Sequence, residues 1–120
     1  MAHPIENQDW LRRAHLDQFH EETHNLLDWL YKLRNSIVNA EPTRIVESNA
    51  VGTAREAVKY EAHAQICFDQ DPVMRSIAAN VLQITVNTSE RLQGSINPND
   101  ALPTVLGLID DVRTLSFNNE

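Results

Sequence analysis

The sequence predicts an all-α fold: an antiparallel up-down four-helix bundle with a long first helix, forming one domain over residues 1–120. Three observations predict it. Apolar residues recur at spacings of three and four in four successive segments. Only 3 Gly and 5 Pro occur in 120 residues, too few for the dense turns of a β-sandwich or barrel. The prolines and Asn/Asp clusters fall largely between the periodic segments, where bundle connections belong. With 42% hydrophobic and 22% charged residues, the chain has enough apolar surface to offset the entropy of folding.

The first helix is predicted from about Glu6 to Asn39, a stretch without Gly or Pro. Leu16, Phe19, Thr23, Leu26, Leu30, Leu33 and Ile37 make a heptad-like seam with Thr23 as its polar member, and Leu27, Tyr31 and Val38 widen it. Such a helix is about 50 Å long. Pro42 marks its end, because the residue before proline avoids the α region.

The second helix is predicted from about Thr43 to Asp69. Val46, Ala50, Ala54, Ala57, Val58, Ala64 and Phe68 share one face, whose alanines permit close approach of a neighbour. Gly52-Thr53 is a weak point. Thr53 followed by Glu56 reads as a capping box, so a kink or restart is expected there.

Asp71-Pro72 starts the third helix, with Asp as N-cap and Pro in the first helical position. Met74, Ile77, Ala78, Val81, Leu82, Thr85, Thr88 and Leu92 follow at helical spacing, and Gly94 is expected to cap the C-terminus. After a polar turn, Asn99 or Asp100 is expected to cap the fourth helix, which tolerates Pro103 in its first turn. Leu102, Val105, Leu106, Ile109 and Val112 form its apolar stripe, and the tail from Ser116 is expected to fray.

The net charge of −7 and a pI of about 5.1 disfavour nucleic acid and anionic membrane surfaces as partners. The longest basic cluster is Arg12-Arg13. No apolar run approaches the roughly 20 residues of a membrane span. No signal-peptide pattern opens the chain, and Cys67 stands alone, so a cytoplasmic protein without disulfides is expected. The glycines Gly52, Gly94 and Gly107 are scattered, which excludes a Rossmann fingerprint and a P-loop.

Histidine carries the most suggestive chemistry. Glu21-Glu22-Thr23-His24 contains a Glu-x-x-His step, the metal-binding step of ferritin-like bundles. Those sites need a second such step, and Glu61-Ala62-His63 has the wrong spacing to supply it. The segment from Leu11 to Leu33 also resembles the first helix of hemerythrin-like proteins. The resemblance implies further His and His-x-x-x-Glu ligands on later helices. Here only His63 follows residue 24, and Cys67 occupies the position four residues beyond it. At 100° per residue, His20 lies roughly 80° and His24 roughly 120° from the seam centre. The metal candidates are therefore His20, Glu21, His24 and Glu61, and the surface or interface reading outweighs them.

Glu61 falls among Ala54, Ala57, Ala64 and Phe68, where a carboxylate must be paired, hydrogen-bonded or protonated. A salt bridge to an Arg is the favoured account. Glu21-Glu22 and Asp110-Asp111 are adjacent in sequence only, since neighbouring helical residues diverge by about 100°. No Glu-x-x-Glu step exists to hold Mg²⁺ in the manner of helical pyrophosphohydrolases.

No catalytic constellation rises above its structural explanation, and no cofactor is expected. The reading is a non-enzymatic protein–protein interaction module, an adaptor, regulator or assembly factor acting through helix faces. The alternative is a small helical-bundle metalloprotein of ferritin-like or hemerythrin-like type. Leu11, Trp29 and Leu33 are the expected interface residues, a second apolar edge on the first helix. The expected partner is a second copy of the chain in a homodimer.

Overall fold

Local chemistry sets where each helix starts and stops. The computed structural model describes the backbone of residues 4–94 and 96–117. Its elements are α1 (Pro4–Val38), α2 (Thr43–Cys67), α3 (Pro72–Leu92) and α4 (Pro98–Phe117). Asp71 caps α3 as its Asp-Pro pair predicts, with its Oδ1 accepting from the Met74 N–H at 3.1 Å. The start of α4 repeats this device two or three residues earlier than expected. Pro98 takes the first helical position, and Asn97, rather than Asn99 or Asp100, provides the cap by accepting from the Asn99 N–H at 3.0 Å.

The C-terminus of α1 closes in a Schellman arrangement. The Glu41 N–H donates to Ser36 O at 2.9 Å, and the Ala40 N–H to Ile37 O at 3.1 Å. This places Ala40 in the left-handed region, with φ 51. Gly94 does not play the corresponding role after α3. Its φ is not positive, and its N–H bonds to Arg91 O at 3.1 Å in a tight turn. The tail is helical as far as Phe117, and residues 118–120 lie outside the described residues.

Helix α2 runs through Gly52-Thr53 without a break, which corrects the expected restart. Thr53 is buried and donates backwards to Asn49 O at 2.7 Å, the habit of a mid-helix threonine rather than of an N-cap. The same back-bonding explains how polar residues enter the seams. Thr23, Ser36, Thr85 and Thr88 each satisfy their hydroxyl on a carbonyl three or four residues earlier.

Contacts join α1 to α2, α2 to α3, α3 to α4 and α4 back to α1, so each helix packs on two neighbours in a bundle. On α1 and α2 the facing pairs are His15 with His63, Phe19 with Tyr60, and Trp29 with Gly52. Numbers rise on one helix as they fall on the other, so these two helices are antiparallel. The seam from Phe19 to Ile37 is buried, and it packs with Ala57, Tyr60 and Ala64 of α2 and with Val105, Leu108 and Val112 of α4. Three expected apolar-stripe positions lie on the outside, the first being Val38 at the end of α1. Val58 is exposed, and Leu106 is exposed while Leu108 takes the inward place.

The molecule measures 58 × 23 × 21 Å. The 35 residues of α1 span about 52 Å and the 20 of α4 about 30 Å, so α1 sets the long dimension. Cys67, the end of α2, lies four residues beyond His63, while α1 extends eleven residues back from His15 to Pro4. Close to two turns of α1 therefore project past the end of α2. Among the described residues, no helix is long and apolar enough to cross a membrane.

Candidate functional site: a buried carboxyl pair beside an open cleft

Position 22 on α1 follows Phe19 by three residues and precedes Leu26 by four, so it inherits the inward turn of the seam. Position 56 on α2 follows Thr53 by three and precedes Tyr60 by four. The antiparallel register brings the two together. Glu22 is 6% exposed and Glu56 is 7% exposed. Their carboxyls are close enough across the seam for each to shift the other's proton affinity. Gln18 donates to Glu22 Oε1 at 2.8 Å, and Asn25 favours the ionised form of Glu56. The Oε2 atoms of both glutamates are buried without a hydrogen-bond partner.

The environment drives the two acids apart. Burial pushes the Glu56 carboxyl up to about 7, helped by its bond to Glu22 and the charge there, and opposed by Lys59 and Asn25. Glu22 is held below the usual carboxylate range, first by its hydrogen bond with Glu56, then by Gln18, His63 and Lys59, against the cost of burial. Below about pH 7 the pair therefore favours one negative charge and one proton, and the proton is lost as pH rises through that value.

Glu56 also lines a cleft of about 480 Å³ with Trp29, Ser48, Val51, Gly52, Arg55 and Lys59. The absence of a side chain at Gly52 lets the Trp29 ring lie directly on α2. Lys32 Nζ stands 4.7 Å from the centre of that ring. Towards the other end of the seam, the His15 and His63 rings are 6.4 Å apart, and His63 Nδ1 is 2.9 Å from Lys59 O. Below the carboxyl pair, Tyr60 is fully buried. Its hydroxyl has no partner, and burial together with the Asp111 charge raises its pKa.

A carboxyl that titrates near neutrality beside a cleft can accept or release a proton at physiological pH. No activated nucleophile accompanies it. Burial pushes the Cys67 thiol up to about 11, which keeps it protonated and inert.

The residues predicted from sequence lie elsewhere. His20 is half-buried with its ring 6.0 Å from that of Phe19, Glu21 and His24 are exposed, and Glu61 is half-buried. Tyr60, not Glu61, occupies the inward position between Ala57 and Ala64, which is why the expected anomaly at Glu61 falls instead on Glu56. Among the described residues, no three His, Cys, Asp or Glu side chains gather where they could hold a metal ion. Of the expected interface residues, Leu33 is 2% exposed and belongs to the core, and Trp29 is half-buried against α2. Leu11 remains at the surface at 49% exposed, beside Trp10 at 69%.

Sequence reasoning missed Glu22 and Glu56. The available signal was the spacing of three and four, which runs through both positions. The capping-box reading at Thr53 and Glu56 masked one of them.

The fold and site define an all-α bundle whose distinguishing feature is a pair of buried carboxyls, Glu22 and Glu56, on two facing helices. No protein family matches this chain, and no curated protein or solved structure matches it.

Proposed function

We propose that this chain is a non-enzymatic interaction module that pairs with a second copy of itself through the projecting N-terminal turns of α1. The observation that carries this reading is the exposure of Trp10 on the stretch of α1 that projects past α2, with Leu11 exposed beside it at the level where α2 ends. A large aromatic on open surface is a signature of an interface. Covering an indole contributes roughly 2–3 kcal/mol by area, a useful share of a small interface.

A second copy is favoured over another partner by the order of charges along the segment. It reads Glu6, Asp9, Trp10, Leu11, Arg12, Arg13. In an antiparallel pairing of two such segments, the acidic half of one runs beside the basic half of the other. The pattern is self-complementary, as a two-fold interface requires. The cytoplasm is the compartment this reading assumes.

The test is a pair of variants, Leu11→Asp and Trp10→Ala, examined by size exclusion with light scattering. Both are expected to lower the solution mass towards that of a single chain while the helical circular dichroism is kept. A dimer untouched by either change would refute this face.

A further inference from the structure

Two carboxyls from facing helices meet in the α1–α2 seam, and among the described residues no Lys or Arg is buried with them. Lys59 is exposed, as is Arg55 on the cleft wall, and the polar groups beside the pair, Gln18 and Asn25, are neutral. Two ionised carboxylates in that position would repel at a contact where both side chains are more than nine-tenths buried. One carboxyl and one carboxylate joined by a proton attract instead. The contact lies between two packing clamps, Phe19 on Tyr60 and Trp29 on Gly52.

We propose that Glu22 and Glu56 form a proton-dependent latch: one shared proton fastens α1 to α2, and its loss places like charges in the seam and loosens the two helices along the cleft. Glu56 forms part of the cleft wall, so the cleft side is where water enters as the latch opens.

The groups that act on this contact come from both helices. Lys59 acts on both carboxyls, and His63 on α2 favours the ionised form of Glu22. His15 of α1 faces His63. Asp111 of α4 acts on Tyr60.

The sign of the pH dependence follows from the two shifts. Glu56 has its folded value raised from 4.5 to about 7, so its contribution to stability is complete below the unfolded value and is lost as pH rises through about 7. Glu22 is lowered, so its contribution is present above the unfolded value and is lost as pH falls through its folded value. The latch is therefore strongest near the ordinary carboxyl value and weakens towards alkaline pH.

The experiment measures urea midpoints of the wild type, Glu56→Gln and Glu22→Gln from about pH 5 to about pH 8, together with the side-chain carboxyl carbon of Glu56 by NMR in the wild type. The wild-type midpoint is expected to fall over this range. Glu56→Gln, which keeps a donor to Glu22 and removes the titration, is expected to show a flatter profile and to exceed the wild type at the alkaline end. In Glu22→Gln the Glu56 carbon is expected to titrate at lower pH than in the wild type. A Glu56 carbon that titrates in the ordinary carboxylate range would overturn the latch, and so would identical pH profiles for the wild type and Glu56→Gln. Should a variant fail to fold, the wild-type carboxyl titration still decides.

Discussion

The Trp29 indole occupies the space that a side chain at position 52 would need: a Cβ built on Gly52 would run into its Cζ3, Cη2 and Cε3 atoms. The glycine is therefore kept for a close approach and not for a turn, since the helix passes through it unbroken. Gly52→Ala gains about 1 kcal/mol of helix propensity but overpacks the contact by about 1–3 kcal/mol. A net loss of about 1 kcal/mol in urea unfolding is expected. In a Trp29→Ala background the same substitution is expected to become stabilising. A destabilisation of equal size in both backgrounds would show that Trp29 is not the cause.

Ala40 carries the only positive φ of a non-glycine residue among those described, and it sits where the chain leaves α1. An L-residue pays roughly 1–2 kcal/mol in that region. Ala40→Gly is expected to stabilise the protein by up to about 1 kcal/mol, because relief of this strain outweighs the extra freedom of the unfolded chain. Thermal unfolding of the two proteins measures it. A lower midpoint for Ala40→Gly would mean that the turn is not strained.

Tyr60 places a hydroxyl in the core without a partner. Removing an unsatisfied polar group removes its desolvation cost, so Tyr60→Phe is expected to leave stability unchanged or raise it by up to about 1 kcal/mol. The ring contact with Phe19, at 5.2 Å between centroids, stays in place. A loss beyond about 1 kcal/mol would reveal a hydrogen bond made by that hydroxyl in solution.

Much of the architecture was legible because the signals were local and periodic. The seam from Phe19 to Ile37 needs nothing beyond its spacing, and Asp71-Pro72 states a helix start in two residues. The errors lie where a local signal had two meanings. Thr53 and Glu56 satisfy the pattern of a capping box, yet Thr53 bonds back to Asn49 and Glu56 turns inward, because tertiary packing holds α2 continuous across Gly52. Ala40 escaped notice because glycine is the usual mark of a left-handed helix end.

The site was less legible, for a different reason. Glu22 and Glu56 are 34 positions apart, and neither has a distinctive neighbour in sequence. Only the antiparallel register makes them a pair. Trp29 shows the same dependence. Its spacing puts it beside the seam, but the gap that receives it belongs to Gly52 of another helix.

The proposed self-pairing through Trp10 and Leu11 is tested most directly by the mass of the unmodified protein in solution. Light scattering coupled to size exclusion, at tens of micromolar chain, is predicted to give twice the chain mass of 13.6 kDa and to fall towards the single-chain value on dilution. A mass of 13.6 kDa that does not change with concentration would contradict the account.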